Sequence, residues 1–363
     1  MNVILKSRLW LMLPPMAAMV VACSGGSLSS VAPGNQQSGV GAPQTRVVRA
    51  VPAWLHGGGE PRSPRALAHR PLRKGIYTSA FSGTYVLGFT MAGKGPKCHF
   101  NTGDTGINDI AVDPKGNLIV PIGSTETVNV YQGPNMCGTE AGSFSDPYGQ
   151  PSDAATMNAL TGTIVVGNIV GSGGYTGNVA ICTLKGGCKK ELTNPNIIGY
   201  VGSVALAKNG DCWATSDVFA SYYVSPPTMT FWKGCTGSGE AVTGYQNKAY
   251  GSISIDSHGY LVSLDLGGVY GSDNSQLWVY KGCSPNCKLV GGPFPLHGHA
   301  VFGALNQKSD EYGVTNYLGG SYPYTMTDIY SYSPTKVAYK FGFQNREEGA
   351  DPEGFAFSPS LKL

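Results

Sequence analysis

The side chains with the clearest chemical potential sit where apolar runs begin or end. Asn168, Asp217, Asp265 and Asn316 each close a short apolar segment, and Glu353 opens the last one. Carboxylate and carboxamide oxygens suit a hard cation such as Ca²⁺. The same residue types also cap loop backbone at strand ends without any metal, so both uses stay open. His297-Gly-His299 sets two imidazoles close together, either as a binding element or as an ordinary polar loop. Gly-x-Ser-x-Gly, His-Glu-x-x-His, a phosphate-binding loop and the dinucleotide glycine pattern are all missing from the sequence.

What would bring such residues together is a repeat. An apolar strand, a polar turn and a second apolar strand recur in Ile110–Val120, Ala159–Val166, Val204–Ala214, Ile253–Val262 and, in degenerate form, Phe302–Val314. The turns fall at Gly116, Gly162, Gly210, Gly259 and near Asp310, a step of 46 to 51 residues. Asp-Pro-x-Gly, Asn-Gly and His-Gly are turn chemistry. A third, aromatic-rich strand follows each pair: Val128–Tyr131, Val179–Cys182, Met229–Trp232, Leu277–Trp278-Val-Tyr280 and Asp328–Tyr332. Weaker fourth strands include Glu240–Thr243 and Lys336–Tyr339. Four antiparallel strands recurring at this period predict an all-β, radially stacked propeller. Gly75–Phe81 and Thr84–Phe89 look like second and third strands lacking a first, and Glu353–Pro359 like a first strand lacking the rest. Joined, they complete a sixth blade, with the C-terminal strand innermost. First strands would then start, and second strands end, on one face. That gathers Asn168, Asp217, Asp265, Asn316 and Glu353, with His297 and His299, around one mouth of the central channel.

Composition agrees with this layout. Charged residues are 13%, with 52 Gly and 20 Tyr among 363 residues, which suits a turn-rich extracellular β protein rather than a helical cytosolic enzyme. Basic residues concentrate before position 75, where Arg46, Arg49, Arg62, Arg65, Arg70, Arg73 and Lys74 lie close together. From Gly75 onward 16 Lys/Arg meet 21 Asp/Glu, a net charge of −5, and Arg346 is the one arginine. Such a body argues against a nucleic-acid partner.

Nine cysteines include Cys23, which leaves eight in the rest of the chain. In an exported protein an even number favours disulfides. Cys182 and Cys188 flank a tight turn, as do Cys283 and Cys287, and Cys212 and Cys235 fall on adjacent strands. Cys98 and Cys137 pair by elimination. The spacings of a zinc site are missing.

The N-terminus carries Lys6 and Arg8, an apolar run from Leu9 to Val21, and then Ala22-Cys23. A basic start, short apolar core and small residue before the cut define a secretory signal. With Cys next, Val20-Val21-Ala22-Cys23 resembles the lipobox of bacterial lipoproteins. The resemblance implies a cleaved signal peptide over 1–22, lipidation of Cys23 and an anchor in the bacterial cell envelope, at an outer membrane or the cell surface. Residues 23–74 read as a flexible basic tether and 75–363 as the propeller.

The repeat over 75–363 resembles the NHL and SMP-30/gluconolactonase-like six-bladed propellers. Hydrolytic members of that group hold a metal with one Glu and with Asn and Asp from separate blades. Glu353-Gly-Phe-Ala-Phe357 is similar to the group's Glu-Gly-x-x-aromatic segment. The resemblance implies Glu353, Asn168, Asp217 and Asp265 as metal ligands, with Asp217 where the group more often has Asn. Calcium would polarise a lactone or ester carbonyl, and an Asp, with Asp265 the candidate, would activate water. Two functions therefore compete. The first is a membrane-tethered extracytoplasmic binding module for a glycan, small molecule or protein, using Asn316, His297 and His299 at the mouth. The alternative is a metal-dependent lactonase or esterase.

Overall fold

The computed structural model describes residues 75–80, 84–103, 106–132, 139–172, 176–217, 227–247, 251–266, 275–317, 325–345 and 352–358. The expected signal segment, Cys23, the tether and Cys137 lie outside these residues. Among the described residues, six four-stranded antiparallel sheets form a six-bladed propeller.

A composite blade combines the first and last described strands. It contains β1 (Gly75–Ala80), β2 (Tyr85–Thr90) and β3 (Cys98–Asn101). Blade 1 contains β4 (Ala111–Val112), β5 (Leu118–Ile122), β6 (Thr127–Tyr131) and β7 (Glu140–Ser145). Blade 2 contains β8 (Gly149–Thr156), β9 (Ile164–Gly171), β10 (Asn178–Thr183) and β11 (Gly187–Leu192). Blade 3 contains β12 (Tyr200–Leu206), β13 (Cys212–Asp217), β14 (Thr228–Trp232) and β15 (Glu240–Ala241). Blade 4 contains β16 (Ile253–Ile255), β17 (Leu261–Asp265), β18 (Gln276–Lys281) and β19 (Lys288–Pro295). Blade 5 contains β20 (His299–Leu305), β21 (Glu311–Tyr317), β22 (Thr325–Ser333) and β23 (Lys336–Asn345). Finally β24 (Pro352–Phe357) returns to the first sheet, in the order β24-β1-β2-β3. It pairs antiparallel with β1 through Ile76↔Phe357, Tyr77↔Ala356 and Thr78↔Phe355, which is the closure that the sequence ends predict.

The turns between first and second strands share one chemistry. Asp113 Oδ1 accepts the amides of Lys115 and Asn117, and Asp256 Oδ1 accepts those of His258 and Tyr260. Gly116, Gly210 and Gly259 close these turns at φ of 92°, 89° and 79°, a conformation that a Cβ disfavours. One expectation needs correction. Ala159 and Leu160 were expected in the first strand of blade 2, but they lie in the turn, where the Gly162 amide donates to the Asn158 carbonyl. The real first strand, β8, reads GQPSDAAT.

Each sheet buries both faces against its neighbours, and six apolar clusters fill the six gaps between blades. Trp232 is fully buried between blades 2 and 3, and Tyr280 between blades 3 and 4. The gap that closes the ring holds Ile76, Leu87, Phe89, Ile329, Phe355 and Phe357. There the tip of the Phe355 ring abuts Gly313, where an added Cβ would fall 2.0 Å from Cζ.

Around the axis, innermost strands are stitched by polar contacts rather than by apolar packing. Asp109 Oδ1 accepts the Phe355 amide, and the Asp109 amide donates to the Ser152 carbonyl. Ser152 Oγ donates to the Val201 carbonyl. Asp153 Oδ2 accepts from Ser203 Oγ at 2.8 Å and the Val204 amide at 2.7 Å. Ser203 Oγ in turn accepts the Ile253 amide, and Ser252 Oγ exchanges bonds with Gly303. This girdle crosses one blade boundary after another.

Candidate functional site

The ends of second strands and the starts of third strands form one rim, and three polar clusters occupy its clefts. Each joins the end of a second strand to the linker that enters a blade.

In blade 5 the linker before β20 carries His297. Its backbone amide donates to the Tyr330 hydroxyl at 2.8 Å, and its Nδ1 lies 3.6 Å from Asp328 Oδ2. Asn316 Nδ2 donates to the same carboxylate oxygen at 2.6 Å. The carboxylate is 1% exposed while the imidazole is 60% exposed. Burial pushes the Asp328 carboxyl above its usual range, and His297, Asn316 and Tyr330 oppose that rise. Gly342 faces Asp328 across β22 and β23, and a Cβ there would fall 2.2 Å from Asp328 Oδ1. Three rings surround the carboxylate: His297 and Tyr339 have centroids 4.4 Å apart, Tyr330 and Tyr339 5.8 Å, and His297 and Tyr330 6.0 Å. Tyr339 is 46% exposed. Asp328 Oδ1 and Asn316 Oδ1 are both buried without a hydrogen-bond partner.

In blade 2, Asn168 Nδ2 donates to Asp146 Oδ2 at 3.0 Å and to Asn178 Oδ1 at 2.7 Å. Asn178 Nδ2 continues to Glu191 Oε1 and the Tyr148 carbonyl. Burial raises the Asp146 carboxyl, and the negative charges of Glu126 and Glu191 add to that rise.

Between blades 3 and 4, Tyr245 and Asn247 of the linker meet Ser263 at 3.0 Å and 2.8 Å. The Tyr280 hydroxyl donates to Asn247 Oδ1. Burial raises the Tyr245 phenol, and both Asp265 and Asp217 act on it. These two carboxylates come from neighbouring blades, and each is almost fully buried.

The residues singled out in the sequence therefore separate. His297 and Asn316 meet at Asp328, and His299 opens β20 beside Tyr317. Asp217 ends β13 and Asp265 ends β17, both almost fully buried. Asn168 points elsewhere, because β9 runs on to Gly171 and the pleat turns the amide toward Asp146. The backbone of Glu353 lies in β24, and its side chain is outside the described ones. The Asn168 amide presents its NH₂ to two acceptors, while its Oδ1 is buried without a hydrogen-bond partner among the described residues. Among the described residues, the group of three His, Cys, Asp or Glu within ligand reach is Asp146 with Cys182 and Cys188. Those two sulfurs are bonded to each other, so no thiolate is available there.

Disulfides also join Cys212 to Cys235 and Cys283 to Cys287, and Cys98 is disulfide-bonded. Cys235 sits in a single 3-10 turn just after β14. The sequence reading missed Asp328, Tyr330 and Tyr339 as site residues, along with Asp146, Asn178, Tyr245 and Asn247. Their signal was positional: each lies in a third or fourth strand, or in a linker, next to a residue already singled out.

No protein-family model and no curated protein matches this chain. Solved structures are similar in fold. A protein of unknown function from Bacteroides caccae is 12% identical over 80% of this chain and 99% of its own, with a TM-score of 0.53. A functionally unknown protein from Desulfotomaculum acetoxidans is 13% identical over 75% of this chain and 80% of its own, with a TM-score of 0.48. A gluconolactonase from Xanthomonas campestris is 13% identical over 67% of this chain and 79% of its own, with a TM-score of 0.47. At these identities the likeness concerns the fold alone.

Proposed function

We propose that this chain is an extracytoplasmic, lipid-anchored propeller that binds a ligand on its mouth face through the blade 5 cluster. The observation that carries the reading is the half-exposed pair His297 and Tyr339 over a buried carboxylate. Apolar ring surface beside a few fixed polar groups is how binding sites are usually built. The sequences joining second to third strands add to this, being rich in Gly, Ser and Tyr, with Tyr222, Tyr223, Tyr270, Tyr322 and Tyr324. That composition suits adaptable recognition of a glycan, small molecule or protein. The disulfides support an oxidising compartment. Among the described residues no helix is long and apolar enough to cross a membrane, and Cys23 would supply the anchor.

The test screens the full mature chain by thermal shift against glycans, amines and peptides. A ligand that raises Tm, and loses that effect in Tyr339→Ala, supports the reading. Shifts that ignore Tyr339→Ala overturn it. Lactone turnover that requires Ca²⁺ and falls in Asp265→Ala would move the assignment to a hydrolase. Incorporation of labelled fatty acid that is lost in Cys23→Ala checks the anchor, and labelling that persists in the variant refutes it.

A further inference from the structure

We infer that the blade 5 cleft takes a cationic ammonium group, held by the rings of Tyr339, Tyr330 and His297 over the carboxylate of Asp328. This rests on the reading that the mouth face binds a ligand, and it names the chemistry of that ligand.

Three observations lead there. The first is a buried carboxylate. Asp328 is 1% exposed, Asn316 donates to its Oδ2, and the half-exposed imidazole of His297 faces the same oxygen at 3.6 Å. The second is a pair of unmet acceptors. Asp328 Oδ1 and Asn316 Oδ1 are both buried and unpartnered, and both need a donor rather than another acceptor. An ammonium with N–H groups supplies donors and charge together, and a quaternary one supplies the charge alone.

The third is the ring geometry. The interplanar angles are 48° for His297 and Tyr339, 73° for Tyr330 and Tyr339, and 60° for His297 and Tyr330. Two of these pairs meet edge to face, and Tyr339, 46% exposed, offers ring surface to solvent, which attracts a cation. Tyr339 and His297 are the two members open to solvent, so a ligand would reach them first. The net charge of −5 from Gly75 onward draws cations rather than anions toward this body.

The experiment titrates full-length mature protein with choline, and separately with 3,3-dimethylbutan-1-ol, its uncharged isostere, following heat of binding and tyrosine fluorescence. Choline should bind, the neutral isostere should bind at least ~10-fold more weakly, and Asp328→Asn should remove the preference. Should Asp328→Asn fail to fold, Tyr339→Leu at its exposed position carries the test, with an expected loss of ~10-fold for choline. Equal binding of both probes overturns the cationic assignment and leaves the mouth as a binding face. Absence of choline binding also overturns it, while the broader ligand screen then judges the mouth separately.

Discussion

Replacing Asp153 by Asn should change the pH dependence of stability more than stability itself. Asp153 lies in β8 and accepts three hydrogen bonds: Ala154 N to Oδ1, and Ser203 Oγ and Val204 N to Oδ2. Burial still dominates, and the carboxyl is pushed up from 3.8 to about 6. A carboxyl raised above its unfolded value binds its proton more tightly in the fold. Its contribution is therefore greatest below about pH 4 and is lost as the pH climbs through about 6. At about 1.4 kcal/mol per pH unit, the full loss is about 3 kcal/mol, of which about 2 kcal/mol falls between pH 4.5 and 7.5. Asn carries no such slope. Its amide must turn NH₂ toward either Ala154 N or Val204 N, leaving one buried donor unpaired at a cost of about 1–3 kcal/mol at every pH. The variant should then be less stable than the parent by about 0–2 kcal/mol at pH 4.5, and equal to it or more stable by up to about 2 kcal/mol at pH 7.5. Urea denaturation of both oxidised proteins at the two pH values, read by Trp213, Trp232 and Trp278 fluorescence, measures this directly. Asp146 and Asp328 titrate in both proteins and cancel in the difference. A gap between the two proteins that stays constant from pH 4.5 to 7.5 would refute the reasoning.

Gly313→Val should be destabilising by about 3 kcal/mol or more, since Phe355 has no room to retreat; a midpoint unchanged in urea would contradict the packing at the closure. Phe355→Ala empties the same socket and should cost about 3–5 kcal/mol, and in a double variant with Gly313→Val the two losses should not add. Asp256→Ala removes the acceptor for two turn amides and for the Tyr332 hydroxyl at 3.1 Å, so about 2–4 kcal/mol should be lost. Tyr332 then becomes a buried unpaired hydroxyl, and Tyr332→Phe in the same background should recover part of that loss. Reduction of the disulfides should lower Tm by several degrees, because each closed loop constrains the unfolded chain by about 2–3 kcal/mol; identical melting of oxidised and reduced protein would count against that.

Closure was legible because β1 and β2 are apolar and lack a first strand before them, while β24 is apolar and lacks the strands that should follow a first strand. All five expected turns fall between a first and a second strand, and Asp113 with Gly116, Gly210, and Asp256 with Gly259 marked three of them by turn chemistry. β8 was hidden because it lies on the axis, where Pro151, Ser152 and Asp153 replace the expected apolar alternation. The polar girdle demands those residues, so the strand that does most to join its neighbours looks least like a strand. The rim was half legible. Placing strand ends in a sequence is uncertain by a few residues, and Asn168, three residues before the end of β9, faces a direction that only the pleat decides. His297 and Asn316 were recognisable, but the carboxylate that joins them was not. Asp328 reads as one more polar residue of an aromatic strand until the register Asn316↔Met326 sets it beside the asparagine.

The shared first blade has a consequence for manufacture. A ribosome releases the amino terminus of the ring long before the six residues that must lie against it. Until Pro352–Phe357 emerges, Ile76–Ala80 presents a raw strand edge, and the socket beside Gly313 stands open. A product lacking that strand would miss little mass yet be unable to seal. It would expose sticky backbone to any passing strand, and proteases would find it first.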